Sequence, residues 1–540
     1  MSFHYFAPEP RIQNSPKKSG TTATGRPRFQ LSPLSTHCVC TLSLQFTSQL
    51  SSLFDSSFVV PVGKSKPCNA MSQTSFNITQ TNFNADNSSR SAEVLVLGAG
   101  IAGLAAAKTL IDDGRSVIIL EARNRVGGRI WTDNSMGLPL DLGSSWIHGV
   151  NGNPITKLAT IFGVTTIATD DENGIVFKAD GGEMSDKEWY KIEALFDDTY
   201  EEVAAMQDDT DDDMSLQQAF DQVVADRNLS QAELRGFNFY AYGETALEYG
   251  ADPKNLSLWW WDADENFSGE DVIFPQGYNQ ITDGLARGLD IRLETVVKSV
   301  SYGDGGVEVE TSDGTFEAEQ AVVTFPLGVL KKGSVRFEPP LPKSKQDAIN
   351  RLNMGLLDKV YFKFPEVFWD EDIETISYVG ERLGEWCEWL SFAPFTGQPI
   401  LMAFHGGEKG IALENLSDNE IRAGAMTTLR VMFGNNIPEP VDMIVTRWAN
   451  DPYSYGSYSY IPTLASPNDF DALFEPVDDV LFFAGEATSR EQFANVHGAY
   501  LSGLAAADEM MTMSNSIPIS VSFALPMTIM TLIMEYWRHS

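Results

Sequence analysis

The sequence predicts an α/β protein built on a Rossmann-like dinucleotide-binding domain that is discontinuous along the chain and carries an inserted α+β domain. Three observations lead there. Val94 to Leu97 is an apolar, β-branched run that stops at Gly98, Gly100 and Gly103, in G-x-G-x-x-G spacing, ahead of an Ala/Leu-rich stretch with helical character. Ala321 to Thr324 is another short apolar run, ending in F-P-L-G, as if the chain returned to the same sheet after an insertion. Val480 to Ala484 repeats the pattern, ending in Gly485 and Glu486, and Gly498 to Met510 then has the small-residue face of a helix that packs closely.

Each part of the first unit has a physical role. Gly98 permits the tight turn, Gly100 admits the backbone to a pyrophosphate, and Gly103 lets the helix sit close to the strand. The helix beginning near Ile101 carries no charge until Lys108, so its first N–H groups and positive dipole end are left for a diphosphate. Gly114 stops it. Ser116 to Leu120 reads as a second buried strand, with Glu121 at its end to accept ribose hydroxyls. Arg123, Gly127, Gly128 and Arg129 follow at once, and this turn resembles the R-x-G-G-R extension of flavoprotein oxidases. That resemblance implies FAD rather than NAD, with Arg129 and the glycine backbone near the phosphates.

At 540 residues the chain is long enough for two domains with appendages. Its net charge of -36 argues against a basic nucleic-acid-binding surface and permits attraction of small cations, with solubility explaining most of the charge. Cys38, Cys40 and Cys68 precede the first strand, leaving Cys387 alone in the body, so no disulfide framework forms there and a reducing compartment fits. The C-x-C pair lacks the partners of a zinc site, and no metal is expected. Residues 1–91 are basic, hydroxylated and almost free of acids, which fits a targeting peptide, a disordered leader, or a start at Met71. Met510 to Met534 carries no charge, long enough to reach across a membrane yet broken by Pro518 and Pro526, so a tail anchor and a packed terminus are both consistent with it.

Between these landmarks, Leu138 to Val150 (LPLDLGSSWIHGV) places Gly143 and Ser144 in a loop and His148 on an aromatic-flanked turn. Ser185 to Met206 has the period of an amphipathic helix, and Asp208 to Asp213 reads as a solvated charge run. Phe237 to Asp264 is dense in aromatics, with Glu244, Glu248 and Asp252 among them. Carboxylates between aromatic faces suit a substrate ammonium. Ile291 to Tyr302 and Val307 to Thr311 read as a hairpin. Further strands are expected at Met354 to Phe364, Trp386 to Leu390, Ile400 to Phe404 and Ile444 to Trp448, with a helix at Asp418 to Met432. Lys359 sits inside the first of these, where a lysine ordinarily points to solvent and is a functional candidate if it points inward.

From Glu93 to Met510 the chain resembles the flavin amine oxidase family, and within it the polyamine oxidases, on R-x-G-G-R, LGSSWIHG, LDKVYFKF, RWANDPYSYGSYSY, and GEATS followed by VHGAYLSG. The resemblance implies an FAD domain (92–170, 271–335, 444–512) interrupted by a substrate domain (171–270, 336–443), with an apolar tail at 513–540. It implies that Gly98, Gly100, Gly103, Glu121, Arg123, Gly128, Arg129, Gly143, Ser144, Trp448, Gly485, Glu486 and Val496 serve the cofactor. With no cysteine near G-S-Y-S, the FAD is expected to be non-covalent. Lys359 falls on the family's lysine that holds a water against flavin N5, His148 on a histidine beside the substrate, and Tyr458 on one wall of an aromatic cage whose other wall is here Asn495. Glu244 and Glu248 are the candidates for a distal substrate ammonium. The implied reaction is hydride transfer from a polycationic amine such as spermine or spermidine to flavin, with oxygen as the second substrate, giving aldehyde, shorter amine and hydrogen peroxide. A lysine-specific histone demethylase and a non-catalytic FAD scaffold are the alternatives. The expected setting is intracellular, cytoplasmic or organellar through the leader, with membrane contact through the tail.

Overall fold

Two mixed sheets organise the protein. The computed structural model describes residues 89–516, so most of the expected leader (1–91) and apolar tail (513–540) lies outside the described residues. Among the described residues no helix is long and apolar enough to cross a membrane.

The larger sheet has eight strands. Ser91–Leu97 lies at its centre, parallel to Val117–Leu120 on one side and to Gly314–Val323 on the other, and Leu481–Phe483 runs parallel to the end of Gly314–Val323. The hairpin Val297–Gly303 and Gly306–Thr311 pairs against the start of that long strand. Val94 and Val96 face a core containing Leu104 and Leu110, while Leu95 and Leu97 face one containing Val309 and Phe316. Burial on both faces is what an unbroken apolar run requires. Helix Ile101–Asp112 packs against helix Val496–Ser516 so closely that a Cβ on Gly503 would lie 2.2 Å from the Ala102 carbonyl.

The second sheet has six strands in the order Asp442–Val445, Leu357–Lys363, Ile400–Gly406, Glu388–Ser391, Thr375–Val379, Gly174–Lys178. Only its last pair is parallel. Phe362, Trp386 and Trp389 anchor its core. Helices Asp186–Asp209, Leu216–Ala225 and Gln231–Tyr242 each start at a serine whose hydroxyl and N3 Glu or Gln complete a capping box.

Several expected elements differ. The strand expected at Ile291 to Tyr302 is two, Ile291–Arg292 and Val297–Gly303, because Glu294 adopts φ +55° while its amide and that of Thr295 bond the Arg123 and Glu121 carbonyls. The run at Ala321 is the end of the ten-residue strand Gly314–Val323. Trp386 has φ +54°, so its strand begins at Glu388. The strand expected through Trp448 ends at Val445, since Thr446 and Trp448 turn to bond the Asp358 carboxylate. Met354 to Phe364 breaks at Gly355, whose amide and carbonyl pair with Tyr458 and Ser457. The aspartate run is not simply solvated: Asp208 and Asp209 finish a helix, and Asp213 accepts from Ser257 Oγ at 2.9 Å and Trp259 N at 3.3 Å.

Candidate functional site

The carboxyl ends of the central parallel strands open into a solvent-connected cavity lined by Gly98, Gly100, Glu121, Thr324 and Gly485 among others. Gly98 has φ +117°, a conformation open chiefly to glycine. A Cβ on Gly103 would stand 2.1 Å from the Gly98 carbonyl, so the helix can start this close to the strand only with glycine there. At Gly100 a Cβ would meet nothing within 4 Å, so the backbone faces open space. No side chain caps helix Ile101–Asp112 and its first turn holds no acid, which leaves its amides for an anion. Glu121 accepts from Ala99 N at 2.7 Å and Arg123 N at 2.8 Å. Burial pushes its carboxyl up, and those two amides with Arg123 and Arg125 oppose the shift. A carboxylate has about four acceptor positions, so ribose hydroxyls can still be taken. This cradle fits the diphosphate and ribose of a dinucleotide.

Another part of the lining is held by Glu486. One of its oxygens accepts from Arg129 at 2.8 Å, and the other from Ser459 Oγ at 2.5 Å, Ser459 N at 3.3 Å and Ala494 N at 3.1 Å. Arg129 also donates to the Ser457 carbonyl at 2.9 Å. One carboxylate therefore fixes the arginine, the G-S-Y-S strand and the bend before Val496. Gly128, Arg129, Ser144, Tyr458, Gly485, Glu486, Asn495 and Val496 all line the cavity. Arg123 lines it too, its guanidinium oriented by Asp451 in a bidentate pair at 2.8 and 2.9 Å that leaves its other N–H donors for a ligand. Gly143 and Trp448 stand behind the lining: a Cβ on Gly143 would lie 1.7 Å from the Arg129 carbonyl, and Trp448 Nε1 donates to Leu142 O at 3.2 Å.

Lys359 points inward. Its strand is buried on both faces from Asp358 to Phe362, so alternation gives a lysine no solvent side to choose. The Nζ donates to Gly143 O at 2.6 Å, Ser145 Oγ at 2.5 Å and Asp141 O at 3.2 Å, and it lies 5.4 Å from the centre of the Trp146 ring. Burial pushes its ammonium well down, and the Asp141 charge partly restores it. The acceptors Asp141 and Ser145 carried no sequence signal beyond lying in the LDLGSSW segment.

His148 Nδ1 lies 2.7 Å from Asp271 Oδ2. Burial opposes the imidazolium, but the hydrogen bond and charge of Asp271, then Glu248 and Asp171, raise it overall. His497, in an edge contact with Phe267 at 5.1 Å, is pushed down to about 4 by burial and by His148. Tyr458 donates to Leu247 O at 3.1 Å, and the next residue, Glu248, is exposed and acts electrostatically on Tyr458, Tyr249 and His148. Glu248 thus stands where a cationic group could be held. Glu244 does not: it is 8% exposed, its Oε1 has no partner, and burial with the Glu248 charge holds its carboxyl well above the usual range. Asp252 is occupied in accepting from Glu408 N at 2.8 Å at the head of helix Gly407–Glu414. Asp264, missed in the sequence, is pushed up to about 7 by burial and Glu248, with Tyr249 OH 3.5 Å away. Cys387 is buried in a core cluster with Phe239 and Tyr242.

Residues 101–511 match the family model described as flavin containing amine oxidoreductase. Polyamine oxidase 2 of Arabidopsis thaliana is 36% identical over 435 residues, covering 78% of this chain and 88% of that protein. Lysine-specific histone demethylase 1 homolog 2 of the same plant is also 36% identical, over 441 residues, but those span 78% of this chain and only 59% of that protein. A solved putrescine oxidase, with putrescine bound, superposes with a TM-score of 0.66 over 78% of this chain and 99% of that one at 23% identity, a likeness of fold.

Proposed function

The chain belongs to the flavin containing amine oxidoreductase family and is an FAD-dependent amine oxidase with non-covalent cofactor, and on that premise we propose that its substrates are polyamines such as spermine, spermidine or their acetylated forms. The observation that carries this reading is Glu248, an exposed carboxylate whose charge helps raise His148 and that directly follows Leu247, whose carbonyl accepts from Tyr458 Oη at 3.1 Å. A monoamine has no second charge to place there; a polyamine does. The net charge of -36 favours encounter with a polycation.

FAD supplies the electron acceptor when bound, and oxygen takes the electrons on as hydrogen peroxide. This chain's residues do the rest. The Gly98 to Gly103 turn and the helix amides would hold the FAD diphosphate and Glu121 its ribose, and the Arg129–Glu486 pair braces the cavity lining. Tyr458 would offer one aromatic wall to the reacting amine, and Asn495, also in the lining, is smaller than a second ring and would leave room for a substituted nitrogen. Lys359 holds a proton at Nζ beside Ser145 Oγ. The amine becomes an imine, and water releases aldehyde and a shorter amine.

The equal identity of a histone demethylase homologue makes a methylated lysine peptide the necessary comparison. Purified holoenzyme is expected to release peroxide from spermine, spermidine or an acetylated form, with product masses identifying the carbon oxidised. Turnover of the methylated peptide without turnover of any polyamine contradicts the proposal.

A further inference from the structure

We propose that Asp271 is a positioning residue that fixes His148 as acceptor of the proton a polyamine must lose before it is oxidised. The proposal rests on the polyamine reading for its substrate, and on geometry for the pair itself. A carboxylate only accepts hydrogen bonds, so the 2.7 Å contact places the proton on His148 Nδ1 and leaves Nε2 with its lone pair. Asp271 is held rigidly. Its other oxygen accepts from Gly149 N at 2.8 Å, its carbonyl accepts from Thr169 N at 3.0 Å and Thr169 Oγ1 at 3.3 Å, and only 5% of its side chain is accessible. The His148 carbonyl is tied to Asn153 Nδ2 at 3.1 Å. Against this fixed backing, 44% of the His148 side chain remains accessible.

Amine oxidation requires a neutral nitrogen, whereas a polyamine arrives as ammonium at neutral pH, its amine near the lysine value of roughly 10. In the step inferred, the N–H bond of the substrate ammonium breaks and an Nε2–H bond forms. Nδ1–H stays with Asp271, and the positive charge moves from substrate to an imidazolium beside a carboxylate, so total charge is unchanged. The groups facing His148 are Asp271, Glu248 and Asp171, which favour its protonation, and His497, which opposes it and is itself pushed toward neutrality. Burial and the neighbouring His148 push His497 down to about 4, so its imidazole is a weaker acceptor for the substrate proton than His148.

Asp271→Asn keeps the shape but turns a donor toward Nδ1, which drives the remaining proton to Nε2 and removes the acceptor. Holoenzyme labelled with nitrogen-15 histidine, with His148→Asn to assign the signal, is expected to show the His148 titration falling by about one unit in Asp271→Asn and its neutral tautomer reversing. In kcat/KM profiles against pH, the plateau is expected to drop roughly 100-fold and the acid limb to move to lower pH, with Asp271→Glu restoring much of both. A structural role alone would lower the plateau with the limb in place, and flavin content and melting temperature report any folding defect separately. An unmoved His148 titration or an unmoved acid limb overturns the proposal. If wild-type enzyme oxidises no polyamine, the polyamine reading fails by itself; the titration still decides the pairing, and the limb is followed with whichever amine the enzyme oxidises.

Discussion

Replacing Glu486 by glutamine tests the brace that joins three distant segments. The carboxylate accepts from Arg129, Ser459 Oγ, Ser459 N and Ala494 N, and is 5% accessible, against 22% for Arg129. Glutamine has one acceptor oxygen. If that oxygen stays with Ser459 and Ala494, the amide NH2 faces the Arg129 guanidinium, donor against donor. Breaking a buried, hydrogen-bonded charge pair costs about 3 kcal/mol, the low end being appropriate because Arg129 is partly accessible. With about 2.1 cal/mol/K of unfolding entropy per residue, a chain of this size converts that to a melting temperature lower by about 3 °C. Because Arg129, Glu486, Asn495 and Val496 share one cavity wall, the same change is expected to lower the flavin-to-protein absorbance ratio after gel filtration. Differential scanning calorimetry and that ratio are the assays. A Tm within about 1 °C of wild type with full flavin retention refutes the reasoning.

Two further outcomes follow from buried charge. Lys359→Met removes the ammonium shared by the Asp141 and Gly143 carbonyls and Ser145 Oγ, though Tyr361 Oη still donates to Asp141 O at 2.7 Å, and is expected to keep bound flavin while slowing its half-reactions at least tenfold, about 1.4 kcal/mol of barrier; unchanged stopped-flow rates with amine and with oxygen would remove Lys359 from the chemistry. Glu388, whose oxygens accept from Ser377 Oγ at 3.0 and 3.2 Å, is pushed up from 4.5 to about 7 mainly by burial, with Ser377 opposing. Between those pH values the unfolded chain is ionised there and the folded chain is not, so folding takes up a proton and stability falls as pH rises, by up to about 3 kcal/mol at pH 8. Glu388→Gln is expected to raise the Tm at pH 8 and leave it unchanged at pH 4, and equal shifts at both pH values count against that assignment.

The cofactor half of the site was legible because its signals are local. Strand, glycines, helix and Glu121 follow one another within a single supersecondary unit, and each residue type answers a backbone requirement that spacing alone expresses, as the 2.1 Å clearance at Gly103 shows. Lys359 was legible only through family resemblance. Alternation could not show its direction, because both faces of its strand are buried. Of the acids at Glu244 and Glu248, four apart, spacing could not say which reaches solvent; the π-turn Gly243–Leu247 buries the first beneath helix Asp186–Asp209, near Asp197, and leaves the second exposed. Asp271 lies 123 residues from His148 with no motif around it, and Asp451 lies 328 residues from the Arg123 it claims. Such long-range pairings, which decide what a side chain is free to do, come only from the fold.

The most direct test of the central claim is anaerobic reduction of the bound flavin, followed at its visible absorbance by stopped flow, with spermine, spermidine, their acetylated forms, a monoamine and a methylated lysine peptide. At least one polyamine is expected to bleach the flavin rapidly, and the monoamine and the peptide slowly or not at all. Bleaching by the peptide or the monoamine alone overturns the polyamine assignment.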